Sequence, residues 1–379
     1  MKKKCTLFAT LLCASFVFAY NPPLGGESLL RLTNPELLGG AASASGGPLL
    51  TIIPSSITYN PALSVLEQRV DVDLSFSAMF NTNKKSESDG VFGAAFQAGT
   101  IIPTKWFVYS ASLQGVFANF DSMNLKNSMI IHGGISKEIN EKLAVGMNLY
   151  SGYYFGSTSD FTVGADLGML YQFENFKFTK KEGSFINKLG FMTDSRLGIA
   201  FLNLGKPLLN FETSGIYADK SSSNYPGILT PRVSFAANLI NPLTKQVDEN
   251  GNALRSKFLS GFSVDLSAPT FQNLIFDCAL GFSYDNIVNL NISWQANLRE
   301  ILAQQIQAIS WPSVSLSFRF AFNSSKFTGD NEDWAKSEIV PVLAWQNLYN
   351  GIQVISGAAK LNLGMADEQP PEIILWDEE

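Results

Sequence analysis

The sequence predicts an all-β fold, a transmembrane antiparallel β-barrel of about fourteen strands with an N-terminal hatch segment inside its lumen. The prediction rests on an export signal, on long segments of alternating apolar and polar residues, and on a low content of charge. Charged residues make up 16% of the chain, and mean hydropathy is only +0.08. Typical soluble proteins carry about 25% charged residues. Apolar residues are therefore abundant but dispersed, as in strands that have one apolar face.

Residues 1–19 are predicted to be the export signal. Lys2, Lys3 and Lys4 precede an apolar stretch, which ends in the small-residue cleavage site Val17–Ala19. Such a segment is a secretory signal peptide, too short to remain as a spanning helix. A lipoprotein anchored at Cys13 is the alternative. No later stretch holds about 20 uninterrupted apolar residues, which excludes helical membrane spans.

The clearest alternation runs from Phe161 to Phe173. One face is continuously apolar and aromatic at both ends, whereas the other holds small and polar residues around Asp166, with Leu170 as the exception. A period of two places these two sets on opposite faces of a β-strand. The small polar face suits a barrel interior, because a water-facing sheet would usually carry Lys, Glu and Thr. A soluble β-sandwich is the alternative fold.

Similar alternation predicts strands along the rest of the chain. They lie at 70–80, 91–102, 105–118, 128–137, 142–155, 160–176, 188–204, 230–240, 257–267, 272–284, 286–296 and 312–322. Two further stretches, 337–348 and 351–365, bring the total to the even number that a bacterial barrel needs. The alternative for 334–350 is a periplasmic helix. Pro341 argues against both a helix interior and a central strand.

The connections are predicted to differ between the two ends of the barrel. Tight periplasmic turns are expected at 103–104, 139–140 and 285–286, and external loops at 81–90, 120–127 and 204–230. The connections 177–187 and 241–256 are long although they fall on the periplasmic side. Residues 366–379, an acidic stretch with two prolines, are expected to form an exposed tail.

Residues 20–66 do not alternate. They contain a run of tiny residues at 39–47, followed by Tyr59-Asn60-Pro61-Ala62 shortly before the first strand. A flexible linker is one interpretation. The other is a segment packed inside the barrel, because small residues let backbone approach backbone.

A signal peptide, a small-residue stretch and the Tyr59-Asn60-Pro61-Ala62 motif together resemble FadL-type long-chain fatty-acid transporters of outer membranes. The chain is similar above all to the UPF0164 family of treponemes. The resemblance implies a hatch at 20–66 inside a barrel at 67–365. It also implies passive, hatch-gated passage of hydrophobic molecules, long-chain fatty acids above all. The gating residues that it implies are Gly46, Gly47, Tyr59, Asn60, Pro61 and Ala62.

Several charged residues are predicted to line the lumen, namely Asp71, Asp73, Asp166, Asp277 and Arg319. Charges that face a confined interior tend to be paired, so Asp71 and Asp73 are expected to pair with a cation such as Arg319. In the external loop 297–310, a helical face of Leu298, Ile301 and Leu302 is a candidate ligand-capture site. Packing of that helix on the barrel rim is the alternative.

The sequence contains few residues suited to catalysis or to metal binding. His132 is the only histidine, and Cys278 is the only cysteine outside the predicted signal. Neither a zinc site nor a histidine-based triad can be assembled from them. We therefore expect no enzyme activity, no cofactor and no metal.

The predicted partners are outer-membrane lipid and a hydrophobic ligand, and the protein is expected to be a monomer. A net charge of −6 without basic clusters argues against nucleic acid. Aromatic residues near strand ends, including Tyr153 and Tyr154, are candidates for interfacial girdles. The alternative function is an outer-membrane scaffold, adhesin or secretion-accessory barrel that acts through the 204–230 loop or the tail.

Overall fold

The computed structural model describes eleven stretches of the chain. They are residues 20–82, 90–118, 120, 127–156, 158–173, 185–208, 225–247, 253–303, 310–323, 336–348 and 351–364. The predicted signal peptide, the acidic tail and parts of the predicted external loops lie outside the described residues. None of the helices in these stretches is long and apolar enough to cross a membrane.

The described strands form a closed antiparallel barrel. In chain order they are β1 (Val70–Asn81), β2 (Phe92–Pro103), β3 (Val108–Phe117), β4 (Asn127–Asn140), β5 (Leu143–Phe155), β6 (Ser159–Gln172), β7 (Thr193–Lys206), β8 (Thr230–Ile240), β9 (Leu243–Val247), β10 (Ala253–Arg255), β11 (Phe258–Ser267), β12 (Ile275–Tyr284), β13 (Val288–Asn297), β14 (Ser313–Phe318), β15 (Phe320–Asn323), β16 (Lys336–Asn347) and β17 (Ile352–Leu363). β9 and β10 pair only with each other, as a hairpin in the 241–256 connection.

Pairing of the first and last strands closes the barrel. β1 pairs with β17 along its whole length, from Val70 opposite Leu363 to Asn81 opposite Ile352. β14 and β15 are two parts of one strand, because both pair with β16 in a single register. Counted in this way, the described strands make a fourteen-strand barrel, as predicted.

Pro341 lies inside a strand with neighbours on both sides, contrary to expectation. It sits opposite Ala359 of β17, and the β16 ladder is continuous on that side. On the other side, Ser317 pairs with Val342 and Phe320 pairs with Ile339, and the ladder lapses between them. Proline has no N–H to donate, so the ladder is interrupted beside Pro341. This interruption explains why the strand opposite divides into β14 and β15.

The two faces of the wall follow the predicted alternation. On β6, Phe161, Val163 and Leu167 are exposed on the outer face, whereas Asp166 is buried inside. Leu170, the exception in the pattern, is fully buried inside with Ala62 of the N-terminal segment. The barrel wall thus presents an apolar outer surface and a mostly small, polar inner one.

The expected girdle position of Tyr154 is wrong. Tyr153 is half exposed on the outer face, but Tyr154 is 3% exposed and belongs to an interior cluster. Adjacent residues of a strand point to opposite faces, so only one of the two tyrosines can face outward.

The N-terminal segment 20–66 packs within the ring of strands. It folds into 3₁₀ turns at Gly26–Thr33, Pro54–Thr58 and Pro61–Leu66 and a π-type turn at Leu37–Ala41. These turns contact strands around the wall, including β1 to β6, β12 to β14, β16 and β17. Most of the side chains in this segment are buried, and the others are partly buried. We call residues 20–66 the hatch segment, although a gating role for it stays a prediction.

The two ends of the barrel differ. At the end that we call the turn end, short reversals join β2 to β3, β4 to β5 and β12 to β13. The loop end is the opposite one, where β13 runs into the short helix α2 (Leu298–Leu302). The other short helix, α1 (Phe185–Leu189), precedes β7 at the turn end.

Candidate functional site

The Asn60-Pro61 turn is bound tightly to the barrel wall. The Asn60 Nδ2 group donates to Ala44 O (2.7 Å) and to Met169 O (3.0 Å). Its Oδ1 accepts from Ala62 N (3.0 Å), which caps the following 3₁₀ turn. Asn60 has extended backbone, as expected before proline. This one side chain therefore joins two parts of the hatch segment to β6.

Glycines of the wall make room for the same turn. A Cβ atom on Gly168 would lie 2.7 Å from Pro61 Cδ, and one on Gly146 would lie 2.6 Å from Ala62 N. Both distances are too short for real side chains. The inner face of β5 and β6 is therefore shaped to the Asn60-Pro61 turn.

Gly46 and Gly47 allow a second close approach. Both have positive φ angles, 79° and 77°, which other residues rarely adopt. The Arg196 guanidinium donates to Gly47 O through Nη2 (3.0 Å) and to Ser45 O through Nε (3.2 Å). A wall arginine thus holds the backbone of the small-residue run.

Two buried arginines join the hatch segment to β8, β11 and β12. Arg31 Nη1 lies 3.2 Å from Asp277 Oδ1, and Arg232 Nε lies 2.7 Å from Asp265 Oδ1. Arg232 also donates to Ala42 O (2.6 Å), and its guanidinium lies 4.9 Å from the centre of the Tyr59 ring. Breaking such a network by removing one partner leaves a buried charge uncompensated, which is strongly unfavourable.

The expected pairing of Asp71 and Asp73 with Arg319 is wrong. Asp71 Oδ2 lies 3.0 Å from Lys360 Nζ, and Asp73 accepts from Asn34 Nδ2 (3.0 Å). Arg319 instead lies 3.7 Å from Glu338. The reason is closure, because β17 neighbours β1 in the barrel and brings Lys360 beside Asp73 in register and close to Asp71.

A cavity of about 120 Å³ lies on the loop-end side of the hatch segment. Its lining combines tyrosine rings and aliphatic side chains with a similar number of polar and charged groups, among them Glu27, Thr162 and Asn203. It includes Leu30, Tyr59, Ile130, His132, Tyr150, Tyr154, Asp166, Leu202, Tyr225, Pro226 and Arg232. We call this the loop-end cavity.

A row of hydrogen-bonded polar side chains borders this cavity on β4, β5 and β6. Both oxygens of Asp166 accept hydrogen bonds, Oδ2 from Asn148 Nδ2 (2.7 Å) and Oδ1 from Asn203 N (2.7 Å). The same Asn148 amide nitrogen lies 3.1 Å from His132 Nδ1. The His132 ring lies 5.6 Å from the ring of Tyr150.

A second cavity, of about 190 Å³, lies on the turn-end side of the hatch segment. Within the described part of the chain it shares no lining residue with the loop-end cavity, and it is more polar, with Glu36, Glu67, Arg69, Arg319 and Lys360 in its lining. Burial raises the pKa of Glu36 to about 7, although the nearby positive charge of Lys360 opposes the shift. We call this the turn-end cavity.

The candidate capture residues Leu298, Ile301 and Leu302 lie on α2 at the loop end. All three are exposed, and none lines the loop-end cavity. Much of the loop that follows lies outside the described residues, so a role in ligand capture stays a prediction.

Sequence reasoning did not single out His132, Tyr150, Tyr225 or Arg232 as cavity residues. A usable signal exists for the first two, since they occupy inward positions on strands whose inner faces are otherwise small. No local signal exists for Tyr225, which follows an undescribed stretch and reaches the cavity by tertiary folding. Among the described residues, no group of three or more His, Cys, Asp or Glu side chains could hold a metal ion.

Comparisons with family models and with curated proteins find no match for this chain. Among solved structures, it is similar to a deltaS2 mutant of the TodX monoaromatic hydrocarbon channel, at 10% identity and a TM-score of 0.46, over 90% of this chain and 98% of that one. It is also similar to the CymD monoaromatic hydrocarbon channel, at 11% identity and a TM-score of 0.45, over 93% of this chain and all of that one (100%). The P. putida toluene transporter TodX is similar at 12% identity and a TM-score of 0.44, over 86% of this chain and 98% of that one. Similarity at this level carries no functional argument, and membership of the UPF0164 family stays a prediction.

Proposed function

We propose that this protein is an outer-membrane channel for hydrophobic molecules, FadL-like in plan, whose hatch segment gates the lumen. The observation that carries the proposal is the loop-end cavity. It is lined by tyrosine and aliphatic side chains together with polar groups, and the hatch segment separates it from the turn-end cavity.

The outer face supports a location in a membrane. Leu74, Ile131 and Leu343 are 58–62% exposed there, with many other large apolar side chains around the barrel. Soluble proteins rarely expose large contiguous apolar surface. Most of the barrel strands have 10–14 residues, and about 9–11 tilted residues cross a bilayer.

The interior supports gated rather than open passage. Buried ion pairs and hydrogen bonds join the hatch segment to β6, β7, β8, β11 and β12. A molecule that entered the loop-end cavity could continue only if this segment moved. The proposed gate is therefore the hatch segment itself, with the Asn60-Pro61 turn as its firmest attachment to β6.

Long-chain fatty acids are the cargo that the FadL-type resemblance implies. The loop-end cavity, about 120 Å³, is smaller than an engineered cavity of about 150 Å³ that binds benzene. A long acyl chain would therefore have to extend beyond it. A small hydrophobic molecule is closer to the described cavity in size than a long acyl chain is.

Disulfide staples test the gating role. Ser64 of the hatch segment lies against Ser136 of β4, with their Oγ atoms 2.8 Å apart. In a background with Cys278→Ser, we expect Ser64→Cys/Ser136→Cys to block uptake when oxidised and to restore it when reduced. Uptake of radiolabelled fatty acid and of labelled toluene would be measured in Gram-negative cells that lack their own channel for either.

A matched control staples two wall strands instead of the hatch. Ser77 of β1 donates to Ser356 of β17 (2.6 Å), and the two residues are opposite each other in the sheet. Ser77→Cys/Ser356→Cys should leave uptake unchanged in either redox state. If the oxidised hatch staple transports as well as this control, the hatch is not the gate.

The alternative of a surface scaffold or secretion-accessory barrel rests on the 204–230 loop and the 366–379 tail. Most of these residues lie outside the described part of the chain. If the reduced protein takes up neither fatty acid nor toluene, the result would favour that alternative.

A further inference from the structure

Two lysines and three aromatic rings lie together at the turn end of the barrel wall. The Nζ atom of Lys137, on β4, lies 5.1 Å from the centre of the Phe107 ring. The Nζ atom of Lys105, in the turn that joins β2 to β3, lies 5.1 Å from the centre of the Trp106 ring. Aromatic faces attract cations, so both contacts hold an ammonium group beside the wall. We call Lys105, Trp106, Phe107, Tyr109 and Lys137 the basic aromatic patch.

This patch belongs to the outer surface of the barrel. Lys137 has the same parity in β4 as the exposed Ile131, and Tyr109 is exposed on the neighbouring strand β3. Trp106 is 56% exposed at the end of the wall. Tryptophan and tyrosine are enriched where a membrane-spanning wall meets the lipid headgroups. The two ammonium groups are therefore at the level that headgroups of the turn-end leaflet would occupy.

Neither lysine of the patch has a carboxylate partner among the described residues. Glu138, which follows Lys137, has the opposite parity and belongs to the inner face of β4. Lys257, also at the turn end, does have a partner, since its Nζ lies 2.7 Å from Asp285 Oδ2. The chain contains 33 acidic and 27 basic residues, so acids are not scarce. Two neighbouring lysines without a carboxylate indicate that their anion comes from outside the chain.

A depression in the outer face leads from the patch toward the middle of the wall. Ala111 of β3 and Gly133 of β4 are opposite each other in the sheet, and a Cβ atom on Gly133 would meet no described atom within 4 Å. The exposed side chains of Tyr109 and Leu149 border these two small residues. Gly133 is about 13 Å along the strand from Lys137. An acyl chain could therefore run over this depression while its headgroup stays at the patch.

We propose that the basic aromatic patch binds an anionic phospholipid, with its phosphate between Lys105 and Lys137 and one acyl chain over Ala111 and Gly133. The proposal rests on the membrane location in the proposed function, and it adds a lipid site on the outside of the barrel. Each lysine near a membrane surface should raise the affinity for an anionic lipid about fivefold, which is the equivalent of about 1 kcal/mol.

Native mass spectrometry of the protein in detergent tests the proposal. The probes are phosphatidylglycerol, which is anionic, and phosphatidylcholine with the same acyl chains, which is zwitterionic. We expect the wild type to bind phosphatidylglycerol about 25-fold more tightly, and Lys105→Gln/Lys137→Gln to lose this preference. Lys105→Arg/Lys137→Arg keeps both charges and should retain it. Heat-dependent gel mobility would establish that each variant is folded.

A matched control removes two charges from another part of the turn end. Lys245 on β9 and Lys257 before β11 are both exposed. Lys245→Gln/Lys257→Gln has the same net charge as the patch variant and should keep the preference of the wild type. If this control loses the preference to the same extent, net charge rather than the patch selects the lipid, and the proposal is wrong.

The acyl-chain part of the site has its own test. Gly133→Leu fills the depression and should weaken the binding of both lipids by a similar factor. Glycerophosphoglycerol, which is the headgroup of phosphatidylglycerol without acyl chains, should not displace the lipid. Displacement by this soluble headgroup, or unchanged lipid binding in Gly133→Leu, would overturn the assignment of the depression to an acyl chain.

The remaining outcomes separate this inference from the proposed function. Equal affinity of the wild type for both lipids, or a preference that survives in Lys105→Gln/Lys137→Gln, overturns the lipid site. Neither result affects the gated channel, which the hatch staple tests independently. Only evidence against a membrane location, which Leu167→Lys provides if it leaves unfolding in lipid vesicles unchanged, would remove the basis of both.

Discussion

Replacing Gly168 with alanine should loosen the hatch segment, because the added methyl group has no room. Its Cβ would lie 2.7 Å from Pro61 Cδ and 2.9 Å from Pro61 N. The proline ring is rigid, and Asn60 holds the turn against Met169 O (3.0 Å). The turn must therefore lift from β6 or the strand must bend.

The magnitude follows from three contributions. Overpacking in a well-packed interior costs about 1–3 kcal/mol. Loss of the hydrogen bond from Asn60 to Met169 costs about 1 kcal/mol. Replacing glycine with alanine also stabilises the folded state by about 0.4–1 kcal/mol, because it lowers the conformational entropy of the unfolded chain. We expect a net loss of about 2 kcal/mol in the free energy of unfolding.

The measurement is urea unfolding in lipid vesicles, followed by tryptophan fluorescence and by the heat-dependent gel mobility of barrels. Gly133 on the outer face of β4 provides the control, because a Cβ there would meet no atom of the described residues within 4 Å. Gly133→Ala should stay within about 0.5 kcal/mol of the wild type. Equal losses for the two variants would refute the claim that the Asn60-Pro61 turn seats against Gly168.

Three further changes test other parts of the molecule. Leu167→Lys, on the outer face of β6, should cost roughly 2–4 kcal/mol in lipid vesicles if that face meets lipid at mid-depth, and an unchanged unfolding curve would count against a membrane location. Arg232→Met should cost about 3–5 kcal/mol, because it leaves the buried carboxylate of Asp265 without its cationic partner, whereas Lys257→Met, which breaks an exposed pair, should leave urea unfolding unchanged. Burial raises the pKa of Glu36 from 4.5 to about 7, so the folded protein binds this proton more tightly than the unfolded chain does. The free energy of unfolding should therefore fall as pH rises between these values. Glu36→Gln should remove that part of the pH dependence of the melting temperature, and an unaltered profile would mean that Glu36 does not titrate in this range.

Much of the barrel could be predicted because its signal is local. Alternation along residues 161–173 placed Leu167 outside and Asp166 inside, and the described strand has both there. The same alternation, applied strictly, places Tyr153 and Tyr154 on opposite faces of their strand. The even strand count also followed from alternation at 337–348 and 351–365, even though Pro341 argued against the first of them.

The contacts across the lumen could not be predicted from one sequence. The partner of Asp71 is Lys360, nearly three hundred residues away in the chain, rather than Arg319. The choice depends on which strands meet when the barrel closes, and no local pattern encodes it. The need for glycine at position 168 could not be predicted for the same reason, since the turn that packs against it belongs to the hatch segment.

The sequence by itself determined which residues face outward and which face inward, because side-chain direction in a strand depends only on parity. Only the tertiary structure decided what the inward residues meet. The pairing of β1 with β17, the seating of Asn60 on β6 and the ion pair of Asp71 with Lys360 all join groups that are distant in the chain. Long-range register and closure, which no local period records, bring them together.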